Sequence, residues 1–141
     1  MRTTRLFLTL IICAITSSAL AIAPCDNLTY GEARDCVKNE LQKADAELNK
    51  LYKVLQSHIY TAYKDEKVIS DVSVKEALIK SQRQWIEFRD AECHFQSEQA
   101  QGGTGTLEGY VHSICLLSLT RNRIRDFQQY IKKLKEFQGN K

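Results

Sequence analysis

The sequence predicts an all-α protein, an antiparallel up-down-up bundle of three helices stapled by two disulfides at one pole. Three observations predict it: apolar residues recur at helical spacing in three segments, capping pairs precede two of these segments, and the exported chain would keep four cysteines. The 141 residues suffice for one ordinary domain. Hydrophobic residues at 43% and charged residues at 26% exclude a disordered chain.

The first residues have the layout of a secretory signal peptide. A positively charged start precedes an apolar run over residues 6–15, and Ala19 and Ala21 supply the small residues of a cleavage site. We therefore expect a signal peptide over 1–21 and a helical domain over 22–141, without a stable membrane anchor after cleavage. The alternative, an uncleaved anchor, is disfavoured because the apolar run is short for a bilayer. Cleavage removes two arginines and no acid, so the formal net charge falls from +3 to +1.

The first helix is predicted to follow the capping pair Thr29 and Glu32 and to fade near Lys64. Its apolar residues advance in alternating steps of four and three, which places them on one helical stripe. They are Val37, Leu41, Ala44, Leu48, Leu51 and Leu55.

The second and third helices are predicted over residues 74–98 and 107–137. The pair Ser73 and Glu76 caps the second helix, and a glycine-rich break separates it from the third. The apolar residues expected to pack are Leu78, Trp85, Phe88 and Phe95 in the second helix, and Tyr110, Ile114, Leu117, Ile124, Ile131 and Leu134 in the third. Three long helices with short connections favour an up-down-up bundle.

This topology collects the four remaining cysteines at one pole. Cys36 lies near the start of the first helix, Cys93 near the end of the second and Cys115 near the start of the third, with Cys25 tethered beside them. An even number of cysteines in a small exported domain predicts two disulfides. The local pairings Cys25–Cys36 and Cys93–Cys115 are favoured, but Cys36–Cys93 with Cys25–Cys115 stays open because every partner lies at the same pole.

The same pole contains two cysteine–histidine combinations that could bind zinc. They are Cys93 with His94, and His112 with Cys115. Disulfide formation in an oxidising compartment would consume both thiolates, and the spacing matches no common zinc module. We expect no metal and no cofactor. The sequence also offers no nucleophile paired with a base that survives disulfide formation, so no catalytic residue is expected and the protein is not predicted to be an enzyme.

Charge is distributed unevenly along the chain. Residues 22–40 and 87–115, which form the cysteine pole, contain nine acidic and three basic side chains, about −6 in total, while much of the positive charge lies in 121–141. A basic partner would be steered to the negative pole. The alternative is that these acids only decorate solvated helix ends.

Two blocks of residues carry a family resemblance. The blocks are Asp45-x-x-Leu48-Asn49-x-x-Tyr52 and Gln82-Arg83-x-Trp85-Ile86-x-Phe88-Arg89-Asp90-x-Glu92-Cys93, followed by Gly102-Gly103-Thr104-Gly105, Cys115 and Thr120-x-x-Arg123. In these residues the chain resembles the LprI-type lysozyme-inhibitor family, small exported bacterial proteins, from Cys25 to about Tyr130. The resemblance implies a periplasmic or secreted protein that binds a protein partner, a lysozyme-type muramidase, and it implies no nucleic-acid partner.

Six residues of these blocks have a structural interpretation. Their spacing places them on one face of the first helix and one face of the second. We expect Arg89 and Asp45 to form an ion pair across the two helices, flanked by Asn49 and packed beneath Trp85, that fixes helix register. The six residues are Asp45, Asn49, Tyr52, Gln82, Trp85 and Arg89.

The segment between Cys93 and Cys115 is the candidate contact with a partner. Gly102, Gly103 and Gly105 allow a tight, closely approaching backbone, and Glu98 and Glu108 flank it. Such a loop could project across the cleft of a muramidase. The alternative is that it only reverses the chain between two helices, in which case an envelope structural or adaptor protein without inhibitory activity becomes the prediction.

Overall fold

A computed structural model describes three stretches of the chain and shows helices in each. The described stretches are residues 25–63, 73–100 and 106–139. Within them lie three α-helices and no strand, which confirms the all-α prediction. The observed bounds agree with the predicted ones to within two residues. The helices are α1 (Tyr30–Tyr63), α2 (Val74–Gln99) and α3 (Thr106–Gly139).

Parts of the sequence-based prediction fall outside these stretches. The signal peptide expected over 1–21 lies outside the described residues, as do Gly102, Gly103 and Gly105 of the candidate contact loop. In the described stretches, none of the helices combines the length and the apolar character that a bilayer crossing requires.

Polar side chains fix where α1 and α2 begin. At α2, the Ser73 hydroxyl accepts from the Glu76 backbone N–H at 3.1 Å, and the Glu76 carboxylate accepts from the Ser73 N–H at 3.1 Å. At α1, the Glu32 carboxylate accepts from the Thr29 backbone N–H at 3.0 Å and from the Thr29 hydroxyl at 2.6 Å. The predicted capping box is therefore complete at α2. At α1 the Thr29 hydroxyl donates to Glu32 instead of accepting from its backbone N–H, so only the Glu32 half of the predicted box forms.

The helices run up, down and up. Contacts between α1 and α3 advance in the same direction along both helices, whereas contacts between α2 and α3 advance in opposite directions. The pairs are Glu40 with Arg121 and His58 with Gln138 for α1 and α3, and Cys93 with Cys115 and Gln82 with Arg123 for α2 and α3. The predicted antiparallel bundle is confirmed.

The hydrophobic core lies mainly between α1 and α3, and α2 packs chiefly against α3. The stripe predicted for α1 supplies Val37 and Leu55, and α3 supplies Phe127, all with at most 2% of their surface exposed. Truncating a buried leucine or phenylalanine to alanine typically costs about 2–5 kcal/mol because a cavity remains. The interface between α1 and α3 is therefore the main apolar source of stability.

Three apolar residues expected in the core are exposed instead. Phe88 and Phe95 of α2 are 55% and 59% exposed, and Ile114 of α3 is 41% exposed, so their assignment to packed faces is wrong. For the two phenylalanines, the reason is that a different face of α2 is turned toward the bundle. That face carries Gln82 and the fully buried Cys93, and Phe88, five residues before Cys93, lies about 140° around the helix from it.

Both disulfides have the local connectivity that was favoured. Cys25 is bonded to Cys36 and Cys93 to Cys115, with Cα–Cα distances of 5.8 and 5.4 Å. The crossed pairing does not form. Because α1 begins, α2 ends and α3 begins at the same pole, the two bonds tie that pole together. We call this end of the bundle the disulfide pole, made of residues 25–40, 87–100 and 106–115.

Candidate functional site

Arg89 connects the three helices through one set of polar contacts. Its Nη1 lies 3.2 Å from the Asp45 carboxylate on α1 and donates to Thr120 Oγ1 on α3 at 3.3 Å. Its Nε donates to Asp90 on its own helix at 2.9 Å. The guanidinium carbon also lies 5.2 Å from the centre of the Trp85 ring, within the range of a cation–π contact. The structure thus contains the expected ion pair, packed against Trp85.

Arg123 makes a second set of contacts, which also includes the Trp85 ring. Its guanidinium donates to Gln82 and to the Ser81 hydroxyl, each at 3.1 Å. Its carbon lies 5.6 Å from the Trp85 ring centre and 4.8 Å from that of Phe127. One indole ring therefore contacts the half-buried guanidinium of Arg89 and the buried guanidinium of Arg123, both of which join α2 to α3.

The six motif residues do not all enter this cluster. The Tyr52 ring stacks with Phe127 at 6.0 Å between ring centres, which places it against the core beside Arg123. Asn49 is exposed, and within the described residues no hydrogen bond joins it to the cluster. The other four lie as their spacing predicts.

Two members of the cluster belong to the motif Thr120-x-x-Arg123, for which the sequence predicts no contact. Thr120 is fully buried and Arg123 is 8% exposed. Their spacing of three residues places them on one helix face, which could have indicated a shared environment. Because threonine and arginine are mostly exposed in proteins, residue type alone does not predict that these two are buried.

The chemistry of the cluster is that of a helix clamp. Among the described residues, every buried side-chain nitrogen and oxygen has a hydrogen-bond partner. A fully satisfied buried network gives the helices one defined register, whereas a catalytic group needs an exposed route to substrate. Glu98 and Glu108, which flank the predicted contact loop, lie outside this cluster, at the disulfide pole.

Some acids of the disulfide pole are neutralised by nearby cations. Glu40 lies 2.9 Å from the Lys43 ammonium and 2.8 Å from the Arg121 guanidinium. The hydrogen bond from Lys43 is the main reason that the pKa of Glu40 is lowered, and burial opposes it. Asp90 is likewise paired with Arg89. These acids contribute little to a negative surface.

Other acids of the pole have no cation within 4 Å among the described residues. Glu32 is one of them: its pKa is lowered by the side-chain and backbone hydrogen bonds from Thr29, which stabilise its charged form. Within the disulfide pole, the described acids that have no such cation are Asp26, Glu32, Glu87, Glu92 and Glu108.

The two glutamates that flank the candidate loop are on the surface. Glu98 lies in the last turn of α2 with its side chain half-exposed, 4.0 Å from the His94 imidazole. Glu108 lies in the first turn of α3 and is exposed. An acid in a first turn is favoured by the helix dipole, so Glu108 has a local reason to be there as well. The structure therefore describes the flanks of the loop at the disulfide pole and not its glycines.

The disulfide pole does not offer the zinc ligands that the sequence suggested. The sulfurs of Cys93 and Cys115 are bonded to each other, so neither is free as a thiolate ligand, and the His94 side chain is largely exposed. In the described stretches, no three residues of the histidine, cysteine, aspartate and glutamate types are gathered around a common point.

Comparisons with known proteins agree with the motif resemblance. The family model described as lysozyme inhibitor LprI matches residues 25–127. An uncharacterized protein of Rhizobium meliloti is 33% identical over 99 residues, covering 67% of this chain and 68% of the relative. The uncharacterized protein YecT of Escherichia coli is 28% identical over 107 residues, covering 74% of this chain and 66% of the relative. No solved structure matches the chain.

Proposed function

The chain belongs to the lysozyme inhibitor LprI family, and from this premise we propose that it is exported to the periplasm or beyond, binds a lysozyme-type muramidase and blocks its cleft. The match to residues 25–127, nearly the whole predicted mature domain, is the observation that carries the proposal. The family is defined by inhibition and not by a reaction, so the chain is assigned no catalytic step.

Export is supported by cysteine chemistry. All four cysteines of the described stretches are paired in two disulfides. Disulfides form and persist in oxidising compartments such as the bacterial periplasm and the extracellular space. The signal-peptide layout over residues 1–21 agrees with this compartment.

Inhibition of a muramidase is supported by the charge of the disulfide pole. Lysozymes hydrolyse peptidoglycan with two carboxyl groups in an open cleft, and many of them are basic. Glu98 and Glu108 flank a loop at a pole where further acids lack nearby cations. Complementary charge accelerates association and makes it sensitive to salt, which suits a negative pole that meets a basic enzyme.

The experiment compares the wild type with the double variant Glu98→Lys/Glu108→Lys against a basic lysozyme of the egg-white type. The proposal expects the wild type to inhibit cell-wall hydrolysis and the variant to bind at least tenfold more weakly, with an unchanged melting temperature. The inhibition should also weaken as salt is raised.

The matched control is Glu47→Lys/Glu136→Lys, which makes the same change in net charge away from the disulfide pole. It should inhibit like the wild type. If the oxidised wild type in micromolar excess leaves turnover unchanged, this lysozyme is not its target, and the adaptor alternative replaces inhibition.

A further inference from the structure

The outer face of α2 carries two exposed phenylalanines at the disulfide pole. Phe88 and Phe95 are 55% and 59% exposed. They are seven residues apart, two helical turns or about 10 Å along one side of the helix. Ala91, which is also exposed, lies between them on the same side. Single exposed apolar residues are ordinary, whereas two aligned aromatic rings with an exposed alanine between them form an apolar row on the helix surface that a partner could cover.

This patch faces away from the bundle. Arg89, Gln82 and Cys93 occupy the inward face of α2, where they contact α1 and α3. Since the inward face is already occupied, no rotation of α2 could bury the phenylalanines without breaking the disulfide and the arginine contacts.

Carboxylates alternate with the phenylalanine rings. Glu92 follows Phe88 by four residues and precedes Phe95 by three, and Glu98 follows Phe95 by three. Residues at these separations are neighbours on a helix surface. We call Phe88, Glu92, Phe95 and Glu98 the aromatic–acidic stripe. Arg89 is the only lysine or arginine in the part of α2 from residue 87 to its end, and it faces inward with 16% of its side chain exposed.

We propose that the aromatic–acidic stripe is the docking surface for an arginine-bearing face of the basic muramidase. A guanidinium can lie on a phenylalanine ring and pair with the adjacent carboxylate at the same time, which an ammonium does less well. This inference rests on the proposed function and adds the surface and the partner side chain. A second copy of the chain is disfavoured because a two-fold contact centred on the stripe would set carboxylates against carboxylates.

The test measures affinity for the same basic lysozyme by titration calorimetry. Phe88→Ala/Phe95→Ala should weaken binding at least tenfold, because both rings are lost from the contact. Glu92→Gln/Glu98→Gln should weaken it several-fold and flatten its salt dependence. The matched control is Tyr60→Ala, which removes an aromatic ring that is 70% exposed near the other end of the bundle and should leave binding unchanged.

The outcomes separate the inference from the proposed function. If the wild type binds lysozyme and Phe88→Ala/Phe95→Ala binds within twofold of it, the stripe is not the docking surface although inhibition stands. If the wild type does not bind, both fall. Sedimentation of the free chain should show a monomer. A dimer that the phenylalanine substitutions dissociate would assign the stripe to a second copy and overturn the inference.

Discussion

Replacing Arg89 by alanine tests whether one side chain fastens α2 to the rest of the bundle. Arg89 contacts Asp45 on α1, Thr120 on α3 and the Trp85 ring, and its own side chain is 16% exposed. The partners differ in exposure: the Asp45 side chain is 44% exposed, whereas Thr120 is fully buried. That difference in exposure determines how much each lost contact should lower the free energy of unfolding.

The magnitude follows from what each partner loses. A buried hydroxyl left without its partner costs about 1–3 kcal/mol, and a half-exposed ion pair contributes only about 0.5–1 kcal/mol. The cation–π contact with Trp85 adds about 0.5–1 kcal/mol. Arg89→Ala should therefore lower the free energy of unfolding by about 2–5 kcal/mol, and Asp45→Ala by about 0.5–1 kcal/mol, because Arg89 then keeps Thr120.

Urea unfolding of the oxidised protein at pH 7 measures both losses. The midpoint should fall with an unchanged dependence on urea, because the folded state keeps its compactness. The double variant Arg89→Ala/Asp45→Ala should lose less than the sum of the single variants, since the two residues share one ion pair. The matched control is Arg83→Ala, an exposed arginine on the same helix, which should change stability by less than about 0.5 kcal/mol.

Two results would refute this reasoning. Equal losses in Arg89→Ala and Asp45→Ala would show that the ion pair, and not the buried Thr120 hydroxyl, holds the helix. A loss below about 1 kcal/mol in Arg89→Ala would show that the cluster does not fasten α2, and would reopen a role for Arg89 in binding.

Three further outcomes are expected. In Cys93→Ala/Cys115→Ala, the free energy of unfolding measured in urea should fall by about 3 kcal/mol, because the unfolded chain gains conformational entropy when residues 22 apart are no longer cross-linked. A decrease under about 1 kcal/mol would contradict this reasoning. Glu32→Ala should melt below the wild type above pH 5, and the gap should close as the pH falls below the usual Glu pKa of 4.5, because the Thr29 hydrogen bonds lower the pKa of Glu32 in the folded state; a gap independent of pH would exclude this cause. Mass spectrometry of exported protein should find Ile22 first, and an intact amino terminus would refute cleavage.

Helix positions were predictable because local signals agreed. The capping pairs at Thr29 and Ser73 act within one turn, so the helix starts could be placed without knowledge of the tertiary structure. The apolar stripe of α1 was equally clear, since α1 packs mainly on α3. Because the capping residues and the apolar periodicity agree, the sequence predicts the ends of these helices to within one turn.

The inward face of α2 was less predictable because it is partly polar. Treating phenylalanine as a core residue placed Phe88 and Phe95 inside, whereas this face combines the apolar Leu78 and Trp85 with Gln82, Arg89 and Cys93. The sequence did contain the correcting signal. Once Cys93 is assigned to a disulfide with α3, helical geometry turns Phe88 outward.

The roles of Thr120 and Arg123 required the assembled bundle. Each acts through partners more than thirty residues away in the chain, so spacing alone could not identify those partners. The long-range pair of Glu40 with Arg121 was missed for the same reason.

The Cys93–Cys115 bond encloses residues 94–114 in a covalent ring. A protease that cuts the backbone inside this ring leaves the two fragments joined, so the bundle can survive a nick that would divide an unbridged chain. The segment inside the ring can also change in sequence independently of the three helices, because substitutions or insertions within it leave the disulfide between α2 and α3 intact. Under the proposed function, a segment inside the ring that contacts the muramidase could therefore change in sequence while the three helices stay the same.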